Sequence, residues 1–526
     1  MSTKNQPAAE GVVTSGHHAT IWTDTIKPLK YETLNKDIKT DVVVVGGGLG
    51  GLTVAYRLSK LGKKVVVVED GYLGSGETGR TTAHIVNALD DRYFEIQKMH
   101  GKEAAVLAAD SHTAAIDLVA NIVHDEKIDC EFKRVDGYLF PHATDTRKTI
   151  DDEFIATRES GITTELLESV PGIVGETGPS LKFPNQAQFH PLKYLQGLAD
   201  AIIKNGGDIY TESRADEITK EGIKVKGFHV SAQHIVVATN TPINDWVTMH
   251  TKQFPYRTYV IAVAIPKGSV KPALWWDTGD HKSKWVGMPY HYVRVEAYNE
   301  INDLLIVGGA DHKTGQADKE DMPEEERYFG LKAWASKRFP MISEVVYKWS
   351  GQIMESVDAM AFIGKNPGDD NIYIVTGDSG NGMTHCTIAG ILIPDLIMGK
   401  ENPWTDLYDP SRLMFSAMGN FLSEVGNMAA QYVDLITPGD LKSADELKPG
   451  NGAVIRKGLK KIAVYKNDNG KLLAFSAICP HLGCVLQWNN DEKSFDCPCH
   501  GSRFTYEGKL VNGPAVADLK QISFKK

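Results

Sequence analysis

The stretch DVVVVGGGLGGLTVAYRLSKLGKKVVVVED, residues 41–70, sets the reading of the chain. Val42 to Val45 is an unbroken β-branched run, as a strand buried on both faces of a parallel sheet requires. A glycine turn follows, then Leu52, Ala55, Leu58 and Leu61 at helical spacing. Lys64 to Val68 is a second buried strand, and it ends in Glu69. Gly46, Gly48 and Gly51 match G-x-G-x-x-G in its required context of strand, glycine turn, helix, strand and acid. In that motif Gly46 permits the tight turn, Gly48 admits a pyrophosphate to the backbone, and Gly51 lets helix and strand pack. The helix N-terminus faces the phosphates, and Glu69 is placed to bond the adenosine ribose. The motif alone leaves NAD and FAD open.

HIVVATN (234–240) and NIYIVTGDSGNGM (371–383) repeat the buried-strand signature, the second running into an apolar helix at 388–398. One sheet is therefore expected from three separated stretches, about 41–95, 185–245 and 345–405. The intervening 96–184 and 246–344 form a second, substrate-side domain. Residues 1–40 read as a polar, weakly patterned arm. Within 409–436, Met414, Met418, Phe421, Val425 and Met428 form the apolar stripe of a linker helix packed on the body. From about 437 onward short strands and turns describe an all-β module.

The chain's 526 residues, 42% hydrophobic and 24% charged, exclude a disordered or fibrous protein and suit two to four domains. Net charge is −10. The segment 441–526 carries +6 and the remainder −16, so opposite fields could help the parts dock or steer an acidic redox partner. Lysines are scattered without interleaved aromatics, which argues against nucleic acid. No basic start precedes an apolar core, and no run of about 18 uninterrupted apolar residues occurs. The expectation is a cytoplasmic protein without a transmembrane segment.

Six cysteines are too few for a disulfide scaffold, yet four fall in Cys479-Pro-His481-Leu-Gly-Cys484 and Cys497-Pro-Cys499-His500-Gly-Ser502. Two Cys and two His in two tight loops suit a mononuclear zinc site. They equally suit a [2Fe-2S] centre with two histidines on one iron, and Cys484 and Cys499 need their own explanation. Cys130 and Cys386 read as ordinary buried residues.

Two resemblances narrow these choices. With GYLGSGETGRTTAHIV after Glu69, QFHPLKYLQGLADAI, HIVVATN, DAMAFIG and TGDSGNGMTHCTIAGILIPDLIMG, residues 40–405 resemble the D-amino acid oxidase and glycine oxidase family of FAD-dependent amine oxidoreductases. The resemblance implies that Arg80, Thr81 and Thr82 line the flavin. It also implies that Gly380, Gly382 and Met383 present N–H groups to its pyrimidine end, where such donors stabilise negative charge. His84 lies near a position flavinylated in some relatives, and a packing or polar role is expected for it.

Residues 437–526 resemble the Rieske domain of the respiratory type. This implies Cys479 and Cys497 on one iron, His481 and His500 on the other, and a Cys484–Cys499 disulfide. Ser502 stands where the family places a hydroxyl donor to a cluster sulfur, and Phe504 where high-potential members carry tyrosine. The expected fold is thus an α/β FAD-binding Rossmann-like domain with an interleaved α+β substrate domain, body 41–408, and a C-terminal all-β Rieske domain.

Eight aromatics crowd positions 254–292, among them Trp285, Tyr290 and Tyr292. Tyr290, Tyr292 and Arg294 alternate onto one strand face, and an arginine beside tyrosine hydroxyls suits a carboxylate. His312 and Lys313 in GGADHKTG are further polar candidates. Tyr292, Arg294 and His312 are the expected catalytic set. Expected function is oxidation of an amine or amino acid by hydride transfer to flavin, with electrons leaving singly through the cluster to an acceptor. The alternatives are a redox sensor or carrier without amine turnover, and a reductase or oxygenase fed through the cluster.

Overall fold

The computed structural model describes residues 15–523, apart from 176, 245–248, 284–288, 318–321, 413–416 and 442. Trp285 and Met414 lie outside the described residues. The valine strands form the centre of a sheet ordered Phe362–Lys365, Ile372–Thr376, Phe228–Val237, Ile38–Val45, Val65–Val68 and Asp208–Tyr210. The last five are mutually parallel, and Val42 to Val44 and Val65 to Val67 have no exposed surface. Helices Leu49–Lys60 and Gly382–Ile397 pack against one another over this sheet. The chain leaves Ile38–Val45 to one neighbour and returns later to the other, so the crevice at this strand's C-terminal end is the switch point where doubly wound sheets bind ligands.

A nine-stranded sheet forms the second layer, in the order Val345–Ser356, Gln253–Pro266, Asn302–Lys313, Tyr292–Ala297, Leu274–Asp277, Lys133–Phe140, Ser180–Gln188 and His84–Ile85, with Glu165–Leu167 beside Ser180–Gln188. This corrects the expected boundaries. Val345–Ser356 pairs with Gln253–Pro266 along its length, and both His84–Ile85 and Ser180–Gln188 belong to this sheet. An apolar strand reads alike in either sheet, because periodicity reports burial and not the partner.

From Ser15 onward the N-terminal arm is docked on the body. Trp22 is fully buried, its Nε1 donates to Thr81 O (2.7 Å), and Arg294 lies 5.2 Å over its ring. Truncating such a buried ring costs about 3–5 kcal/mol. Helix Lys102–Asp125 is long and apolar enough to cross a membrane by length and composition. Its Ala105, Ala108, His112, Ile116 and Val119 are instead buried in the body.

The C-terminal module has a three-stranded sheet, Asn451–Lys457, Lys460–Lys466 and Leu472–Ser476, and a four-stranded one, Gln487–Asn489, Ser494–Asp496, Arg503–Thr505 and Leu510–Asn512. The connecting helix, Met418–Gln431, uses its stripe on both parts. Phe421 packs beside Phe254 and Tyr256 of the body, while Met428 packs on the core of the module. Glu424 is buried and pairs with Lys313.

Candidate functional site

At the switch point each glycine has a distinct steric reason. Gly46 sits at φ +113°, and a β-carbon there would lie 2.3 Å from Ala238 O. One at Gly51 would lie 2.0 Å from Gly46 O, whereas Gly48 faces only Thr78 Oγ1 at 3.2 Å. The loop is held by Glu69, whose two carboxylate oxygens accept from the N–H of Gly47 (2.6 Å) and Gly71 (2.8 Å). Burial first, then Asp70 beside it, raises the Glu69 carboxyl well above the usual range.

A cavity of about 540 Å³ opens from this loop and is lined by Gly46, Gly48, Glu69, Thr81, Thr82 and Met383 together with Tyr290, Tyr292 and Asp311. Gly380 and Gly382 also line it, and Gly382 opens helix Gly382–Ile397, whose first N–H groups have no intrahelical acceptor. The Thr82 hydroxyl bonds His84 Nδ1 (3.2 Å), while His84 Nε2 is buried without a hydrogen-bond partner. Desolvation pushes the His84 imidazole down to about 3, so the ring is neutral. Gly48 and the helix ends leave open backbone where a pyrophosphate and a flavin ring edge could rest.

Two expected residues lie off the cavity and a third reaches it with its charge engaged elsewhere. Arg294 is fully buried and donates to the carbonyls of Thr82 and Ala83 (both 3.0 Å) and Phe189 (3.2 Å), and to Glu296. It does not line the cavity, and its one unpartnered donor, the Nε–H, is buried away from it. His312 is also walled off, its Nε2 on Tyr259 OH (3.0 Å) and its Nδ1 on Lys313 O (2.8 Å). Arg80 reaches the cavity wall, but its guanidinium goes to Ser350 O, His18 O (3.1 Å) and Glu492 (3.0 Å). Tyr292 does line the cavity.

Asp90, Asp311 and Gln352 line it too and escaped sequence reading. For Asp311 the cause is a bulge. Register slips between Arg257, opposite His312, and Tyr259, opposite Gly309, so that Ala310 (φ +59°) and Asp311 together face Thr258, and the extra residue exchanges the faces of the strand beyond it. Asp311, not His312, therefore faces inward.

The two cysteine-histidine loops are built alike. Cys479 N–H donates to Cys484 O (2.9 Å) and Gly483 N–H to Cys479 O (3.1 Å); Cys497 N–H donates to Ser502 O (2.8 Å) and Gly501 N–H to Cys497 O (3.1 Å). Cys484 and Cys499 form a disulfide across them. The Cys479 and Cys497 thiols lie within hydrogen-bonding reach of each other, and the Ser502 hydroxyl reaches Cys479. The His481 and His500 rings are 4.9 Å apart, and His500 Nε2 is buried without a hydrogen-bond partner. Two converging thiols opposite two converging imidazoles are a donor set that could hold a two-iron cluster.

This end of the module is pressed onto the body. His250 packs against His481 (4.9 Å) and His500 (5.8 Å). A β-carbon on Gly501 would lie 2.6 Å from Pro255. Gln352 Nε2 donates to Gly501 O (3.0 Å), and Gln316 Nε2 to Pro498 O (3.3 Å). Glu492 is fully buried between Arg80 and Arg257, each 3.0 Å away; burial opposes its charge, but the two arginines hold it well below the usual carboxylate range. Its neighbour Asp491 meets His18 (2.8 Å), Tyr328 OH (2.7 Å) and Lys348 (3.3 Å). The contact thus inverts the net-charge expectation locally, with acids of the basic module seated among bases of the acidic body. Residues Leu510, Asn512 and Ala515 of the module close over the cavity itself.

Comparison with known proteins matches both parts. A family model described as FAD dependent oxidoreductase matches residues 41–396, and one described as Rieske [2Fe-2S] domain matches 438–523. A Rieske 2Fe-2S iron-sulfur protein of Bacillus subtilis, YhfW, is 32% identical over 96% of this chain and 97% of its own. Gamma-glutamylputrescine oxidoreductase of Escherichia coli is 28% identical over 70% of this chain and 86% of its own. Glycine oxidase from Geobacillus kaustophilus shares the fold of the body, with a TM-score of 0.58 at 17% identity over 72% of this chain and 99% of that one.

Proposed function

The chain belongs to the FAD-dependent oxidoreductase family and carries a C-terminal Rieske [2Fe-2S] domain, and from that premise we propose that it oxidises an amine or amino acid and sends the electrons singly through the cluster to an acceptor outside the chain. When bound, FAD accepts a hydride from the carbon bearing nitrogen, and the [2Fe-2S] cluster exchanges one electron at a time. The remaining work falls to the protein.

Gly46, Gly48, Gly51 and Glu69 would hold the dinucleotide, with Thr81, Thr82, Gly380, Gly382 and Met383 along the flavin. Cys479 and Cys497 would bind one iron and His481 and His500 the other. Arg80 acts at one remove, tying the cavity wall to the module through Glu492. The observation that carries the electron route is Gln352, which lines the cavity and also bonds the residue after His500. With His481 and His500 at 8% and 2% exposure, the histidine edge is turned toward the body, which supports transfer within the chain. A cytoplasmic setting belongs to the same reading.

Anaerobic stopped-flow of the holoenzyme with an active substrate tests it. Flavin absorbance is expected to bleach first and cluster absorbance next, with faster reoxidation by a one-electron acceptor than by oxygen. Steady turnover with the cluster remaining oxidised would remove it from the path, and reduction of the cluster before the flavin would reverse the flow.

A further inference from the structure

The polar wall of the cavity is acidic. Tyr290 OH donates to Asp90 Oδ2 (2.5 Å), and Tyr292 OH bonds the Thr258 hydroxyl (2.6 Å). Beside them stands Asp311, 5% exposed, its carboxylate facing the Thr258 hydroxyl while its Oδ1 is buried without a hydrogen-bond partner among the described residues. An unsatisfied carboxylate oxygen is expensive, and at the wall of a cavity it is placed to take a donor from a bound molecule. Gly380 makes room for the second acid, since a β-carbon there would lie 1.7 Å from Asp90 Oδ2.

The cations near this wall are committed elsewhere. Arg92 donates to the carbonyls of Leu89 (2.9 Å), Asp90 (2.6 Å) and Asp277 (3.1 Å), Arg327 to that of Ala310 (3.0 Å), and both Nη groups of Arg294 are engaged as described. None of the three lines the cavity. Among the described lining residues the fixed cations are Arg80, Arg214 and Lys509; His84 and His385 also line the cavity, and burial keeps both rings neutral. Arg80 is bound to Glu492, and Lys509 to Asp518 (2.8 Å). Arg214 follows Ser213, whose N–H donates to Glu69 O (2.7 Å) at the dinucleotide end. An α-amino acid brings a carboxylate that must be matched by a cation or a set of donors; this wall offers carboxylates.

Resting on the oxidation proposed above, we infer that the substrate is a cationic amine with no carboxylate on the carbon that bears the reacting nitrogen, its ammonium held by Asp311 with Asp90 and Tyr290 alongside. The step balances. The ammonium R–CH2–NH3+ loses a proton from nitrogen to the Asp311 carboxylate and a hydride from carbon to the flavin. The resulting iminium is opened by water to an aldehyde and ammonium.

Matched pairs test the inference on the holoenzyme: alanine against ethylamine, phenylalanine against phenethylamine, and ornithine against 1,4-diaminobutane, with both enantiomers of each amino acid. The amine member is expected to bleach the flavin anaerobically with at least tenfold higher kcat/KM. Asp311→Asn should raise the amine KM at least tenfold with FAD content and cluster spectrum unchanged, and Asp311→Glu should recover part of the loss. Faster turnover of the amino acids, or an unchanged KM in Asp311→Asn, overturns the inference. If no compound bleaches the flavin, the oxidation reading itself falls, and titration of the flavin spectrum decides the site separately. Perturbation by butylamine that Asp311→Asn abolishes upholds a cation site, and perturbation by acetate instead overturns it.

Discussion

Gln352 Nε2 lies 3.0 Å from the carbonyl oxygen of Gly501, so one side chain of the cavity wall grips the loop that carries His500. The same side chain accepts from Thr314 Oγ1 (3.2 Å), which fixes its amide orientation. Gln352→Leu keeps the volume and removes the bond. A neutral hydrogen bond contributes about 0.5–1.5 kcal/mol, so cluster reduction should slow by up to about tenfold. Flavin reduction by substrate should keep its rate. Stopped-flow at the two chromophores separates these, and equal slowing of both would assign Gln352 to the substrate site instead.

The docking of the module is expected to depend on Glu492. Replacing it with glutamine leaves Arg80 and Arg257 buried and unpaired, and breaking such a pair costs about 3–5 kcal/mol. The pH dependence has a definite sign. Folding depresses this carboxyl, so its stabilisation is complete above the unfolded value near about 4.3 and is lost as pH falls below it. Melting temperatures of wild type and Glu492→Gln should differ most at neutral pH and converge toward pH 3. A gap that stays constant with pH would deny Glu492 its charge.

The valine strands, the glycine turn and the two cysteine loops were legible because each is a local pattern whose physics is contained within a few residues. Where long-range pairing decides, the sequence misled. Arg294 beside two tyrosines looks like a carboxylate binder until Glu296 and three backbone carbonyls are brought to it. The bulge opposite Arg257 and Tyr259 exchanges Asp311 for His312 at the cavity, and no motif announces it. Asp491 and Glu492 fall in one of the turns of the all-β module, where no motif marks them, yet they are part of the contact by which the module is seated.

Burial pushes Asp311 up to about 7 and Asp90 to about 6, the latter despite its Tyr290 bond and nearby Arg92. Both are neutral at low pH and gain charge as pH rises. Capture of an ammonium requires the charged form, so kcat/KM for an amine should rise with pH through about 6–7. The groups that face Asp311 are Tyr290, Tyr292, Thr258, Asp90 and Arg327. Asp311→Asn should lower the limb and flatten it over this interval. A profile unchanged in shape would place the ionisation elsewhere.

The cluster potential should follow the donors to its sulfur ligands. Ser502 can supply one, its hydroxyl reaching Cys479 while accepting from Ala515 N–H (3.0 Å). Phe504 is fully buried in the same apolar cluster as Cys479 and Cys497 and can supply none. Reduction adds negative charge to the cluster, so each donor favours the reduced state and raises the potential. With one donor lost, the value is expected within the range of roughly −150 to +300 mV and below its upper end. Phe504→Tyr should raise it by tens of millivolts, about 59 mV being one tenfold change in a one-electron equilibrium. Ser502→Ala should lower it by a comparable amount. Potentiometric titration of the full chain, followed at the cluster signal, measures both. An unchanged potential in Phe504→Tyr would mean that the new hydroxyl points away from the sulfur, leaving Ser502 as the side chain to which the tuning of this cluster is assigned.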